Sequence, residues 1–132
     1  MGFFVYVMIG NYCVLKEVYR RGDESTIIAY ATQTFGNKLK CKLKFVSNRN
    51  KATEEMGTYK TLGRFNFIVE LIDVIESVPY DNKVWKVLVL EFGEMNLMNK
   101  INQTTQLDPF EIRSYAHSIA QVLTHMHSRN FV

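Results

Sequence analysis

The chain has 132 residues, 47% hydrophobic, 13% aromatic and 22% charged, with a net charge of +3. That is enough apolar surface for one sizeable core and too much for a disordered chain, so a single domain is expected. The mild positive charge permits anionic partners such as nucleotides or RNA without demanding them. Two cysteines, Cys13 and Cys41, without C-x-x-C spacing, exclude a disulfide framework and read as reduced side chains of an intracellular protein, in cytoplasm or nucleus.

The first ten residues, MGFFVYVMIG, are mostly apolar but lack a basic leader and a cleavage site, and they are too short to span a bilayer. Gly2 begins like a myristoylation site, yet Tyr6 stands where Ser or Thr is usual. An extra edge strand, or a start codon placed upstream of the domain, accounts for the stretch. Residues 12–19 (YCVLKEVY) and 27–32 (IIAYAT) then read as strands joined by the turn-like RRGDEST. After a Gly36-Asn37 turn, Leu39, Cys41, Leu43 and Phe45 alternate with Lys38, Lys40, Lys42 and Lys44. This is the pattern of a strand with one buried face and one basic face. The lysine stripe raises RNA binding as a reading. Phe45, however, falls on the opposite side from the lysines, which leaves no stacking platform and argues against nucleic acid.

Residues 48–62 (NRNKATEEMGTYKTL) read as a short helix with Glu55, Tyr59 and Leu62 on one face. Gly57 weakens that helix by about 1 kcal/mol relative to alanine. Residues 69–77 and 84–90 form a hairpin whose turn is supplied by Pro79, Asp81 and Asn82. The run VLVLEF, cut off by Gly93, suits a buried strand. A polar link follows, and then a helix start with three agreeing signals. Asp108 can N-cap, Pro109 suits the first turn, and Glu111 is placed to complete a capping box. Ile112, Tyr115, Ala116, Ile119, Val122, Leu123 and Met126 recur at three- and four-residue steps, giving one apolar helix face. His117, His125 and His127 all lie on this helix. His125 and His127 point to different faces, so solvated or packing histidines are expected rather than a metal site.

Taken together, these phrases resemble eukaryotic protein kinases. VWKVLVLEFG, the DPFEIRSYA helix start and the closing HSRNFV are similar to the hinge and first large-lobe helix of that family, and GRFNFIVELIDVIES is similar to its xHPNIVxLxDVxE passage. EFGEMNL followed by LDPFEIRSY is similar, over a short run, to the monopolar-spindle checkpoint kinases. The resemblance covers most of residues 12–132. It implies an α+β fold: a kinase-like N-lobe with an antiparallel sheet of about five strands and one short helix, then a long helix opening a second lobe. The division implied is an apolar extension at 1–11, the N-lobe at 12–92, and the hinge exit with an incomplete C-lobe at 93–132.

The resemblance also implies roles. The family's Gly-rich loop G-x-G-x-x-G-x-V falls on RRGDEST, where only Gly22 is kept. The other glycine positions are Glu24 and Ile27 or, one residue earlier, Asp23 and Thr26, so either register brings a carboxylate toward the phosphates. Ile28, on the second strand, belongs to the same nucleotide site by this match. CKLK corresponds to V-A-I-K, which gives Lys44 the phosphate-holding role, with Lys42 the alternative. A lysine then replaces the small residue over the adenine. Glu55 becomes the helix glutamate that pairs with the strand lysine, Glu54 being its neighbour in a shifted register, although only eleven residues separate Lys44 from Glu55. Leu90 falls at the back of the adenine pocket, and the Glu91 carbonyl and Gly93 N–H fall at the adenine edge. ATP, accompanied by magnesium, is the implied cofactor.

The family's H-R-D-x-x-x-x-N and D-F-G groups lie downstream of the matched passage, and this sequence ends at Val132. The expectation is therefore the ATP-binding lobe of a truncated Ser/Thr-type kinase domain, with no catalytic or metal-ligating residue of its own. The alternative is a pseudokinase-like interaction module. A protein partner or the missing C-lobe would cover the helix at 109–128, and no membrane is involved.

Overall fold

The computed structural model describes residues 7–93, 102 and 107–131. Six strands, β1 (Met8–Ile9), β2 (Tyr12–Arg20), β3 (Thr26–Gln33), β4 (Lys40–Val46), β5 (Leu71–Tyr80) and β6 (Lys83–Glu91), form one antiparallel sheet in the order β1-β2-β3-β4-β6-β5. Two helices complete the described chain: α1 (Arg49–Leu62), between β4 and β5, and α2 (Pro109–Ser128) after β6. The five long strands are those expected. The sixth, β1, lies at the sheet edge, within the stretch for which an extra edge strand is one of the two expectations. Gly2, Tyr6 and the part of the link at 94–97 lie outside the described residues.

Alternation decides what the sheet buries. On one face, Ile27, Ala29 and Ala31 of β3, Cys41, Leu43 and Phe45 of β4, and Val87 and Val89 of β6 have no solvent exposure. Phe45 stacks on Tyr80 at 4.7 Å and meets Trp85 edge-on at 6.1 Å, while the Trp85 indole N–H donates to the Tyr80 carbonyl at 2.6 Å. A buried indole with its N–H satisfied contributes its apolar area without a desolvation penalty. The sheet also curls on itself. The Tyr12 hydroxyl on β2 donates to Asp73 on β5 at 3.2 Å, although the sheet order sets those strands far apart.

Two sequence expectations need correction. Leu39 does not join the buried row: it is 59% exposed, because β4 begins at Lys40 and the preceding turn holds Lys38 at a positive φ. Pro79 is not in the hairpin turn. Strand β5 runs through it to Tyr80, and the two-residue turn is Asp81-Asn82, both with positive φ (49° and 62°), as a type I′ hairpin requires. A proline is tolerated there because β5 is an edge strand, where a missing N–H breaks no inner ladder.

Helix α1 starts where Asn48 accepts from the backbone N–H groups of Asn50 and Lys51 at 3.0 and 3.1 Å. It stops at Gly63, whose φ of 66° suits a residue without Cβ. Ala52 and Leu62 bury its inner face. Helix α2 starts on Asp108, which accepts from the Phe110 N–H at 2.9 Å. None of its residues is buried, and Phe110, Ile112, Ile119 and Leu123 remain largely exposed. Its far end meets the end of α1. A ring N–H of His125 donates to the Leu62 carbonyl at 2.8 Å, the ring stacks on Phe65 at 4.1 Å, and Arg129 reaches the Thr61 carbonyl at 3.3 Å. These donors meet carbonyls that the last turn of a helix leaves without intrahelical partners.

Candidate functional site

The face of β3, β4 and β6 opposite the apolar core carries the candidate site. Register sets its rows: Ile28 beside Lys44 beside Leu88, then Tyr30 beside Lys42 beside Leu90, then Thr32 beside Lys40. Lys40, Lys42 and Lys44 therefore stand in line on one side of one strand. Leu88 and Leu90 are buried behind them.

Lys44 is the lysine that meets the helix. Its Nζ lies 2.8 Å from the Glu55 carboxylate, and both side chains are 27% exposed. Glu55 reaches it because Ala52 and Leu62 seat that side of α1 on the sheet, so a separation of eleven positions suffices. Neither Lys42 nor Glu54 takes part in this pair. At this exposure the pair adds at most about 1 kcal/mol of stability, so its value is positional: it fixes an ammonium over the sheet. Burial, and then the Glu55 charge, push the neighbouring Tyr59 phenol up from its ordinary range.

One lysine of the same face was missed by sequence reasoning. Lys86, with a side chain only 7% exposed, pairs with Glu76 at 3.1 Å and reaches the Thr53 hydroxyl on α1 at 3.3 Å. It fastens the helix to the sheet. The signal was available, since Lys86 sits two residues before Leu88 in the same alternation.

The loop around Gly22 is occupied with itself. The Arg21 N–H donates to Thr26, the Glu24 N–H to Arg21, and the Ser25 N–H to the Asp23 carboxylate, at 2.8–3.0 Å. The Ser25 hydroxyl also donates to Asp23 at 2.6 Å, and chiefly this bond holds the Asp23 carboxyl below its usual range. Outside the loop, Arg20 pairs with Glu17 and with Asp81, and Lys83 donates to the Glu24 carbonyl. Three loop amides that could approach an anion are thus engaged, and two carboxylates stand beside them. Gly22 itself is exposed, with open space around it.

At the far end of the face the chain leaves β6 through Glu91, Phe92 and Gly93. The Glu91 N–H donates to the Glu70 carbonyl at 2.9 Å, and its side chain and Gly93 are exposed. Phe92 meets Tyr30 edge-on at 5.0 Å, and Lys40 stands 5.6 Å over the Phe92 ring. This aromatic mouth was not foreseen. Alternation alone would have set Tyr30 beside Ile28.

Of the residues singled out from sequence, the structure brings Ile28, Lys44, Glu55 and Leu90 onto one face, with Glu91 and Gly93 at its end and Gly22 in a separate, self-bonded loop. Among the described residues no group of three or more His, Cys, Asp or Glu side chains could hold a metal ion. None of the described helices is long and apolar enough to cross a membrane.

The family model for the protein kinase domain matches residues 10–132. A comparison with curated proteins found no match. The chain belongs to the protein kinase domain family, whose members in general use ATP and magnesium.

Proposed function

We propose that this protein kinase domain chain is the ATP-binding lobe of a Ser/Thr-type phosphotransferase, with its hinge and the first helix of the large lobe. The observation that carries this reading is the 2.8 Å pair between Lys44 and Glu55 on the open sheet face. A lysine so held supplies a fixed positive charge for the α- and β-phosphates. Ile28 supplies apolar surface beside it, with Leu90 buried behind, and backbone groups of Glu91 and Gly93 would take the base edge.

The fit is uneven. Lys44 and the hinge backbone suit a nucleotide. The 21–25 loop does not, because Asp23 and Glu24 repel phosphate and the amides of Arg21, Glu24 and Ser25 are engaged. Bound with the nucleotide, magnesium would neutralise phosphate charge. The groups that hold it in the family, together with the H-R-D and D-F-G motifs, are not among the 132 residues. The residues here bind and orient. The domain division at 12–92 and 93–132, the intracellular setting and the kinship to the monopolar-spindle group belong to the same proposal. So does a protein partner or large lobe covering the exposed face of α2.

Thermal unfolding with and without millimolar ATP tests the reading. A rise in Tm is expected for the unaltered chain and none for Lys44→Met. An equal rise in both would remove Lys44 from the site. A second reading, a pseudokinase-like interaction module, is favoured by the self-bonded loop and by Lys42 on the face. It predicts no rise in either.

A further inference from the structure

Lys42 is the odd member of the lysine row. Lys44 has Glu55 and Lys40 has the Phe92 ring, whereas half-buried Lys42 has no hydrogen-bond or ion-pair partner among the described residues. Its register neighbours are Tyr30 and Leu90, neither of which offers a negative charge. The pair at Lys44 is neutral overall and Lys40 is exposed over a neutral ring, so Lys42 is the uncompensated cation of the row that sits in a partly dehydrated position. Covering that ammonium with a flat neutral base would strip its remaining water and give no counter-charge in return, which is unfavourable. Covering it with phosphate oxygens supplies the counter-charge and a charge-assisted hydrogen bond. The Tyr30–Phe92 edge contact stands at the hinge end of the same row, where a base would have to enter.

We infer that the face binds a polyphosphate chain across Lys42 and Lys44 and does not read the base. This rests on the phosphate-binding half of the reading above and replaces its base-edge half: the ligand class is a linear di- or triphosphate, with or without a nucleoside. The neighbouring Asp23 and Glu24 limit the anion to the lysine row rather than the loop.

The test compares ATP, GTP and inorganic tripolyphosphate at fixed ionic strength, with affinities from the shift of thermal unfolding of the full chain. Comparable affinity for all three is expected. Lys42→Gln should weaken each about tenfold, the effect of losing one charged hydrogen bond. Lys38→Gln, in the exposed turn before β4, removes the same charge away from the face and should change affinity less than about twofold, as expected for a screened surface charge. Binding of ATP with no binding of GTP or tripolyphosphate would overturn base-independent binding and leave the nucleotide-binding reading standing. Binding of all three with Lys42→Gln no weaker than Lys38→Gln would overturn the role of Lys42. No binding of any of them would overturn both readings. The variants' own Tm values without ligand show whether each is folded.

Discussion

The two faces of β4 are built from alternate residues of the same seven-residue strand and behave as different materials. Cys41, Leu43 and Phe45 have no exposure and pack against β3, β6 and the Trp85 corner. Lys40, Lys42 and Lys44 stand one residue away: the first over a ring, the second without an ion-pair or hydrogen-bond partner among the described residues, the third against a carboxylate. One face supplies stability and is intolerant of change. The other supplies little stability and leaves its side chains half-buried or exposed to solvent. A strand in mid-sheet can serve both because its period is two.

Substitutions can break this contrast or sharpen it. Phe45→Ala should cost about 3–5 kcal/mol in urea unfolding, since it empties the stack with Tyr80 and Trp85. A loss under about 1 kcal/mol would mean that the core face is looser than its burial indicates. Next is the Tyr12 hydroxyl, whose pKa burial and Asp73 push up to about 12 from an ordinary value of 10.0. The folded state therefore prefers the protonated phenol. The stabilisation is fully present below pH 10 and is lost as pH rises from about 10 to 12, by on the order of 2 kcal/mol. Tyr12→Phe should flatten that stretch of the pH–stability curve; a curve parallel to the unaltered chain would refute the assignment. Lys44→Met should change stability by less than about 1 kcal/mol while abolishing the ATP-induced rise in Tm. Gly57→Ala is the smallest. The site has open space and helical backbone, so a gain of up to about 1 kcal/mol is expected, read from the urea midpoint.

The strands and helix starts were legible because alternation, capping and turn chemistry are local. Asp108 caps α2 as its sequence position suggests, and α1 begins within one residue of the expected start. What failed was positional. Pro79 looked like a turn residue, and nothing local reveals that β5 lies at a sheet edge, where proline is admissible. Leu39 continued an alternation whose strand had not yet begun. At the site, spacing left Lys42 and Lys44 open, and so did the family resemblance. Only the seating of α1 by Ala52 and Leu62 brings Glu55 to Lys44. The Tyr30–Phe92 contact joins residues 62 apart in sequence, and Lys86 gains its meaning from Thr53 and Glu76. Such long-range meetings are set by packing, which no periodicity reports.

The alternation in β4 also bears on how the chain finds its fold. Slipping the strand by one residue against β3 and β6 would turn Phe45, Leu43 and Cys41 outward and drive three ammonium groups into the space they fill. Few single slips could be more unfavourable, since buried unpaired charge is among the largest destabilising terms. The lysines should thus disfavour mispaired registers during strand pairing, whether or not a ligand ever reaches them. Replacing all three by threonine should leave the finished sheet intact and make mispaired, aggregation-prone species more abundant on refolding.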